Sequence, residues 1–163
     1  MDKRIIVGIS GASGIIYGVR ALQMLAECGI ETHLVMSKSA ELTLHYELDM
    51  SVADVKSLAS EVHPIKNVGA SIASGSFITA GMLVAPCSVR TMSEIATGVT
   101  SSLLTRAADV VLKERRRLVL GYRESPLPHI DLLNMTRLSE LGAIIAPLCP
   151  GLYLNPQTVD ELV

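Results

Sequence analysis

Ile5-Ile6-Val7-Gly8-Ile9-Ser10-Gly11-Ala12-Ser13-Gly14 decides the architecture, because an apolar run enters a loop of small residues and a helical pattern follows. The stretch reads as a strand, a phosphate-sized loop and a helix. The first N–H groups of a helix lack intrahelical partners, the helix dipole is positive there, and glycine lets a ligand approach the backbone closely. Such a loop suits an anion, with a nucleotide phosphate as its natural guest. Its glycines stand at Gly8, Gly11 and Gly14, which is neither the dinucleotide fingerprint nor a Walker loop, since no Lys follows the last one. NAD and ATP are poor candidates, and from these residues alone a ligand-free strand-to-helix turn reads equally well.

Outward from this stretch the pattern repeats. A first helix runs from about Gly14 to Cys28, Gly29 stops it, and Glu31 to Met36 reads as a second strand ending at Ser37. A helix from about Ser39 to Glu47 and a short one from Ser51 follow, and residues 67–76 read as loop. Met82 to Ala85 is a buried strand ended by Pro86, and Ser88 begins a helix to about Thr97. The rest predicts a helix from Leu103 to Arg115, a strand from Leu118 to Gly121, a helix from about Ile130 to Leu141, a strand from Ala143 to Ala146 and the start of a last helix. Apolar strands alternating with helices imply a parallel sheet covered on both faces, so the predicted fold is α/β, a doubly wound three-layer sandwich. Residues 1–163 carry no repeat or linker and read as one domain. In such sheets ligands bind at the strand C-termini. That rule gathers Gly8 to Gly14, Ser37, Pro86 to Thr91 and Tyr122-Arg123-Glu124 at one edge.

Composition narrows the classes. A formal net charge of −2, four tyrosines, one phenylalanine and no tryptophan argue against a nucleic-acid surface. Hydrophobic residues make up 49% of the chain, yet no apolar run approaches the roughly 20 residues of a membrane span, so the excess points to subunit interfaces and a homo-oligomer. Cys28, Cys87 and Cys149 form no Cys-x-x-Cys pair and no signal segment opens the chain, which predicts a cytoplasmic protein. His33, His45, His63 and His129 have no metal-ligand spacing and read as surface or capping residues, so no metal site is expected.

Ser88, Arg90 and Thr91 bring hydroxyls, unpaired N–H groups and a guanidinium to one helix start, which would hold an anion or a polar ring; alone, Ser88 reads as an N-cap. Glu47 and Glu124 are two carboxylates that could converge on one cleft for proton transfer, although a loop Glu is usually solvated. Arg106 and Lys113 lie on nearly one helical face, which suits a phosphate, a salt-bridged surface or a subunit contact.

Taken together, Gly8 to Gly14, Met36-Ser37-Lys38, Ser74-Gly75-Ser76-Phe77, Pro86-Cys87-Ser88, Arg106 to Val110, Leu112 to Arg116, Arg123-Glu124 and Pro150 to Tyr153 closely resemble the UbiX family of flavin prenyltransferases, nearly end to end. The resemblance implies a Rossmann-like flavoprotein that binds reduced FMN and transfers a dimethylallyl group to it from dimethylallyl monophosphate, without a metal. The prenylated FMN would pass to a UbiD-type decarboxylase, as in ubiquinone biosynthesis. By matching position, Gly11, Ala12, Ser13, Ser37, Ser88, Val89, Arg90, Thr91 and Arg123 would bind FMN. Arg106, Lys113 and Tyr153 would bind the prenyl phosphate, with the two cations reaching across a subunit boundary of a homo-oligomer, expected to be a dodecamer. Ser13, Glu47 and Glu124 would relay protons and support transfer, with Glu124 the first choice of base.

The resemblance also implies a longer C-terminal helix carrying a further cation. Asn155 as N-cap and Pro156 at the first helical position predict that helix, and it is expected to be cut short at Val163. That departure sustains an alternative, an FMN-binding carrier without transferase activity. A cysteine-decarboxylase flavoprotein fits less well, because the chain lacks a His near the first helix and an Asn-containing loop where Pro86-Cys87-Ser88 stands. A dehydrogenase fits less well too, because Ser37 and not an acidic residue ends the second strand.

Overall fold

The computed structural model describes residues 4–163. Six parallel strands form one sheet in the order β3-β2-β1-β4-β5-β6. They are β1 (Arg4–Ile9), β2 (Glu31–Met36), β3 (Glu61–Val62), β4 (Gly81–Cys87), β5 (Arg117–Tyr122) and β6 (Ile144–Ile145). Between them run α1 (Ile15–Glu27), α2 (Lys38–Glu47), α3 (Val52–Ser57), α4 (Val89–Thr97), α5 (Leu103–Lys113) and α6 (His129–Glu140), and α7 (Val159–Leu162) closes the chain.

Strand alternation separates two cores. Val7, Ile9, Leu34 and Met36 face Ile15, Val19, Leu22, Leu44 and Val55 of α1, α2 and α3. Ile6, Val35, Met82, Val84, Leu118 and Leu120 face Met92, Leu104, Ala108 and Leu138 of α4, α5 and α6. Successive side chains of a strand point to opposite faces, so a continuous apolar run such as Ile5-Ile6-Val7 fills both layers. This is the predicted doubly wound three-layer sandwich.

Several local expectations shift. β4 does not end at Pro86; it continues to Cys87, which pairs with Tyr122 after an irregularity in register beyond Val84. β3 has only two residues and follows a stretch with no periodic signal, and it exists because it pairs with β2. That pairing also overturns the surface reading of two histidines, since His33 and His63 are 1% and 5% exposed. The last helix does not start at Asn155. Asn155 is left-handed (φ 51°) and closes a turn over Leu152–Leu154, and α7 begins after Thr158, whose hydroxyl accepts the Glu161 N–H at 3.2 Å. Thr158 to Glu161 has the Thr-x-x-Glu spacing of a capping box, which displaces the start signal read at Asn155-Pro156.

Candidate functional site

Four loops at the C-terminal ends of β1, β2, β4 and β5 enclose a cleft of about 1070 Å³. It lies where the chain order reverses between β1 and β4, the position at which open α/β sheets bind ligands. Gly11, Ala12 and Ser13 line it from β1, Ser37 from β2, Ser88 to Thr91 from β4, and Arg123 and Glu124 from β5. Side chains scattered over more than a hundred positions meet because parallel strands all end on the same side.

Three helix N-termini open onto this space. The Ser37 hydroxyl accepts the Ala40 N–H at 3.0 Å at the head of α2, Ser88 accepts the Thr91 N–H at 3.3 Å at the head of α4, and Ser102 accepts the Thr105 N–H at 3.3 Å at the head of α5. Their remaining N–H groups and aligned dipoles give the cleft a positive field suited to an anionic ligand. Gly11 matters for space, since a Cβ there would overlap the Ser39 side chain.

The head of α1 differs from the sequence expectation. Its N–H groups are already satisfied by the chain's own carboxylate: Glu47 accepts from Gly14 at 3.0 and 3.2 Å and from Ile15 at 3.0 Å. Glu47 therefore sits behind the glycine loop rather than on the cleft wall. Glu124 lines the cleft, and its carboxylate accepts the Ser125 N–H at 2.9 Å.

Ser10 is a structural element of the site that sequence reading did not single out. Its hydroxyl donates to the Pro86 carbonyl at 2.9 Å and accepts the Ser88 N–H at 2.8 Å, and it is 1% exposed. It ties the β1 loop to the β4 loop. Ser10→Ala leaves the Ser88 N–H unpaired and is expected to cost about 1–3 kcal/mol. A urea midpoint equal to that of the parent chain would show that the bridge contributes nothing.

Glu94 also lines the cleft, one helical turn from Arg90, whose Nε it accepts at 2.9 Å while Ser101 donates to it at 2.6 Å. The Arg90–Glu94 spacing of four on a helix was a readable signal. Burial raises the Glu94 carboxyl pKa, but the hydrogen bonds from Ser101 and Arg90 outweigh it and hold the value below the ordinary one. A lowered acid pKa stabilises the fold fully above about pH 4.5, and the contribution fades as pH falls through the lowered value. In Glu94→Gln the acid limb of stability should be flatter than in the parent chain, with less than about 1 kcal/mol lost at neutral pH. Denaturant midpoints measured from pH 3 to 7 read this directly, and parallel curves for the two proteins would refute it.

Lys38, Ser39, Ile65, Lys66, Val68, Ser101, Ser102, Leu104 and Thr105 complete the wall. Ile65, Lys66 and Val68 come from the stretch after β3 and carry no pattern a sequence could reveal. Burial pushes the Cys87 thiol pKa up, which keeps this cysteine protonated and unreactive behind the cleft.

The other predicted site residues lie elsewhere. On α5, Arg106 pairs with Asp109 at 2.7 Å and Lys113 with Glu114 at 2.6 Å, and neither lines the cleft. Tyr153 stands on the Leu152–Leu154 turn, 89% exposed.

The fold and cleft define a nucleotide-class α/β protein, and the model of the flavoprotein family matches residues 1–161. The flavin prenyltransferase UbiX of Neisseria meningitidis is 55% identical over 163 residues, all of this chain and 86% of the relative. AnUbiX, solved in complex with FMN and dimethylallyl pyrophosphate, superposes with a TM-score of 0.98 at 44% identity, over 99% of this chain and 86% of that one. A dodecameric FMN-dependent UbiX-like decarboxylase from Escherichia coli O157:H7 gives 0.96 at 48% identity, over 98% and 87%. The chain belongs to the flavoprotein family and, within it, to the UbiX flavin prenyltransferases.

Proposed function

We propose that this enzyme transfers a dimethylallyl group from dimethylallyl monophosphate to reduced FMN and releases prenylated FMN to a UbiD-type decarboxylase in the cytoplasm. The observation that carries the reading is the cleft itself, in which Gly11, Ala12, Ser13, Ser37, Ser88 to Thr91 and Arg123 stand together beside three helix N-termini. Its volume of about 1070 Å³ is at the upper end of ordinary ligand sites.

Bound FMN supplies the electron-rich ring that is alkylated. Ser37, Ser39 and the N–H groups of α2 and α4 hold its polar groups. Arg123, with Arg106 and Lys113 from a neighbouring subunit, balances the charge of the departing phosphate, so no metal is needed. Glu124 takes the proton displaced from the ring, Ser13 and Glu47 relay protons and support transfer, and Glu47 also holds the head of α1 in place. Arg106, Lys113 and Tyr153 lie outside their own chain's cleft, which supports a shared site between protomers, and the dodecameric relative supports a homo-oligomer of that size.

The test is anaerobic incubation of the purified chain with reduced FMN and dimethylallyl monophosphate, followed by mass spectrometry of the extracted flavin. A gain of one dimethylallyl unit is expected. Flavin bound one to one yet unchanged in mass would favour the carrier reading instead.

A further inference from the structure

Where β2 and β3 form the sheet edge, His33, Glu61 and His63 bring three donor groups together away from the cleft wall. His33 Nδ1 lies 3.0 Å from His63 Nε2. One Glu61 oxygen is 3.6 Å from the first of these nitrogens and the other is 3.5 Å from the second. The two rings are tilted by only 16° with centres 5.3 Å apart. With facing nitrogens at 3.0 Å they meet edge to edge and do not overlap.

For a pair of neutral imidazoles, the surrounding contacts assign the tautomers. His33 Nε2 faces the Glu31 carboxylate at 2.9 Å and donates its proton there, which leaves Nδ1 as a lone pair. Glu31 is held in turn by Arg4 Nε at 3.1 Å, and the Phe77 ring packs edge-on against His33 at 5.0 Å. His63 therefore carries its proton on Nε2, pointing at His33 Nδ1.

Each residue offers a donor atom within 4.8 Å of those of the other two, so small side-chain turns bring all three to the roughly 2 Å bond length of Zn²⁺ to imidazole and carboxylate ligands. Glu31 on the far nitrogen of His33 is the outer carboxylate that orients a metal-binding imidazole. We propose that His33, His63 and Glu61 bind a divalent cation of the imidazole-preferring class, Zn²⁺ foremost, with solvent completing the coordination. Two metal–nitrogen bonds and one metal–oxygen bond form, the His63 proton moves from Nε2 to Nδ1, and the rings turn within their shared plane to aim both lone pairs at the ion. Both histidines are buried and Glu61 is exposed, so the ion enters from the Glu61 side. The site ties β3 to β2, and with it the following stretch that supplies Ile65, Lys66 and Val68 to the cleft.

The experiment is Zn²⁺ titration in competition with a chromogenic chelator, on a Cys28→Ser, Cys149→Ser background so that the exposed thiols do not compete. One ion per chain with a dissociation constant below about 1 μM is expected. Glu61→Gln, an exposed change that leaves the core intact, should weaken binding about 10-fold or more, and His63→Gln should abolish it. Co²⁺ substitution should give the visible absorption of a four-coordinate site, lost in the same variants. No stoichiometric binding at micromolar free Zn²⁺, or equal affinity in the parent chain and Glu61→Gln, overturns the proposal.

Discussion

Gly18→Val is expected to remove several kcal/mol of stability and to abolish flavin binding. In a helix interior, glycine is ordinarily worse than alanine by about 1 kcal/mol, so a substitution at Gly18 of α1 would be expected to help. The packing reverses that sign. A Cβ at Gly18 would overlap the Ala85 carbonyl of β4 and lie 2.7 Å from Ile9 Cδ1 of β1. The first contact is with backbone in the middle of the sheet and has no rotamer by which to yield. Overpacking of this kind costs about 1–3 kcal/mol for one added group and more for a branched side chain. Gly18→Ala should thus lower the urea midpoint, and Gly18→Val should lower it further or leave no folded chain. The route to lost flavin binding is direct, because lifting α1 off β4 moves the preceding loop, whose Gly11, Ala12 and Ser13 line the cleft. A midpoint raised by Gly18→Ala would mean that α1 does not lie this close to β4.

Glu47→Gln should lower the rate of prenyl transfer by about a hundredfold or more while leaving flavin affinity within a few-fold of the parent chain. Glutamine keeps an oxygen that can accept from Gly14 or Ile15 but removes the negative charge at the head of α1. The loss of stability should be below about 1 kcal/mol, whereas Glu47→Ala, which removes the cap altogether, should cost about 1–2 kcal/mol. The pair of variants separates two roles. If Glu47 only secures the loop, Gln turns over normally and Ala fails in proportion to its lost stability. If it also carries protons, Gln is folded, binds flavin and is slow. Single-turnover rates on flavin-loaded protein, set beside urea midpoints, distinguish the cases.

The layered parallel fold, and the sheet edge at which the cleft opens, were legible in local pattern alone. Period and punctuation are local properties. Apolar runs such as Ile5-Ile6-Val7 and Met82 to Ala85 can be satisfied only by a sheet covered on both faces, and Ser37 and Ser88 mark helix starts whatever surrounds them. Parallel topology then places every following loop at one edge.

Which residues meet across that edge and along the sheet's flank depends on long-range packing. Ser10 bridges to Pro86 and Ser88, Glu47 reaches back to Gly14, and the Ile65 to Val68 stretch closes the cleft, all through contacts between residues far apart in sequence. His33 and His63 read as surface residues because neither sits in a spaced motif. They are buried together because β2 pairs with a two-residue strand too short to carry a period of its own. Propensity and pattern are summed over neighbours in the chain, whereas hydrogen-bond partners and ligand sets are fixed by register between strands, which no single segment encodes.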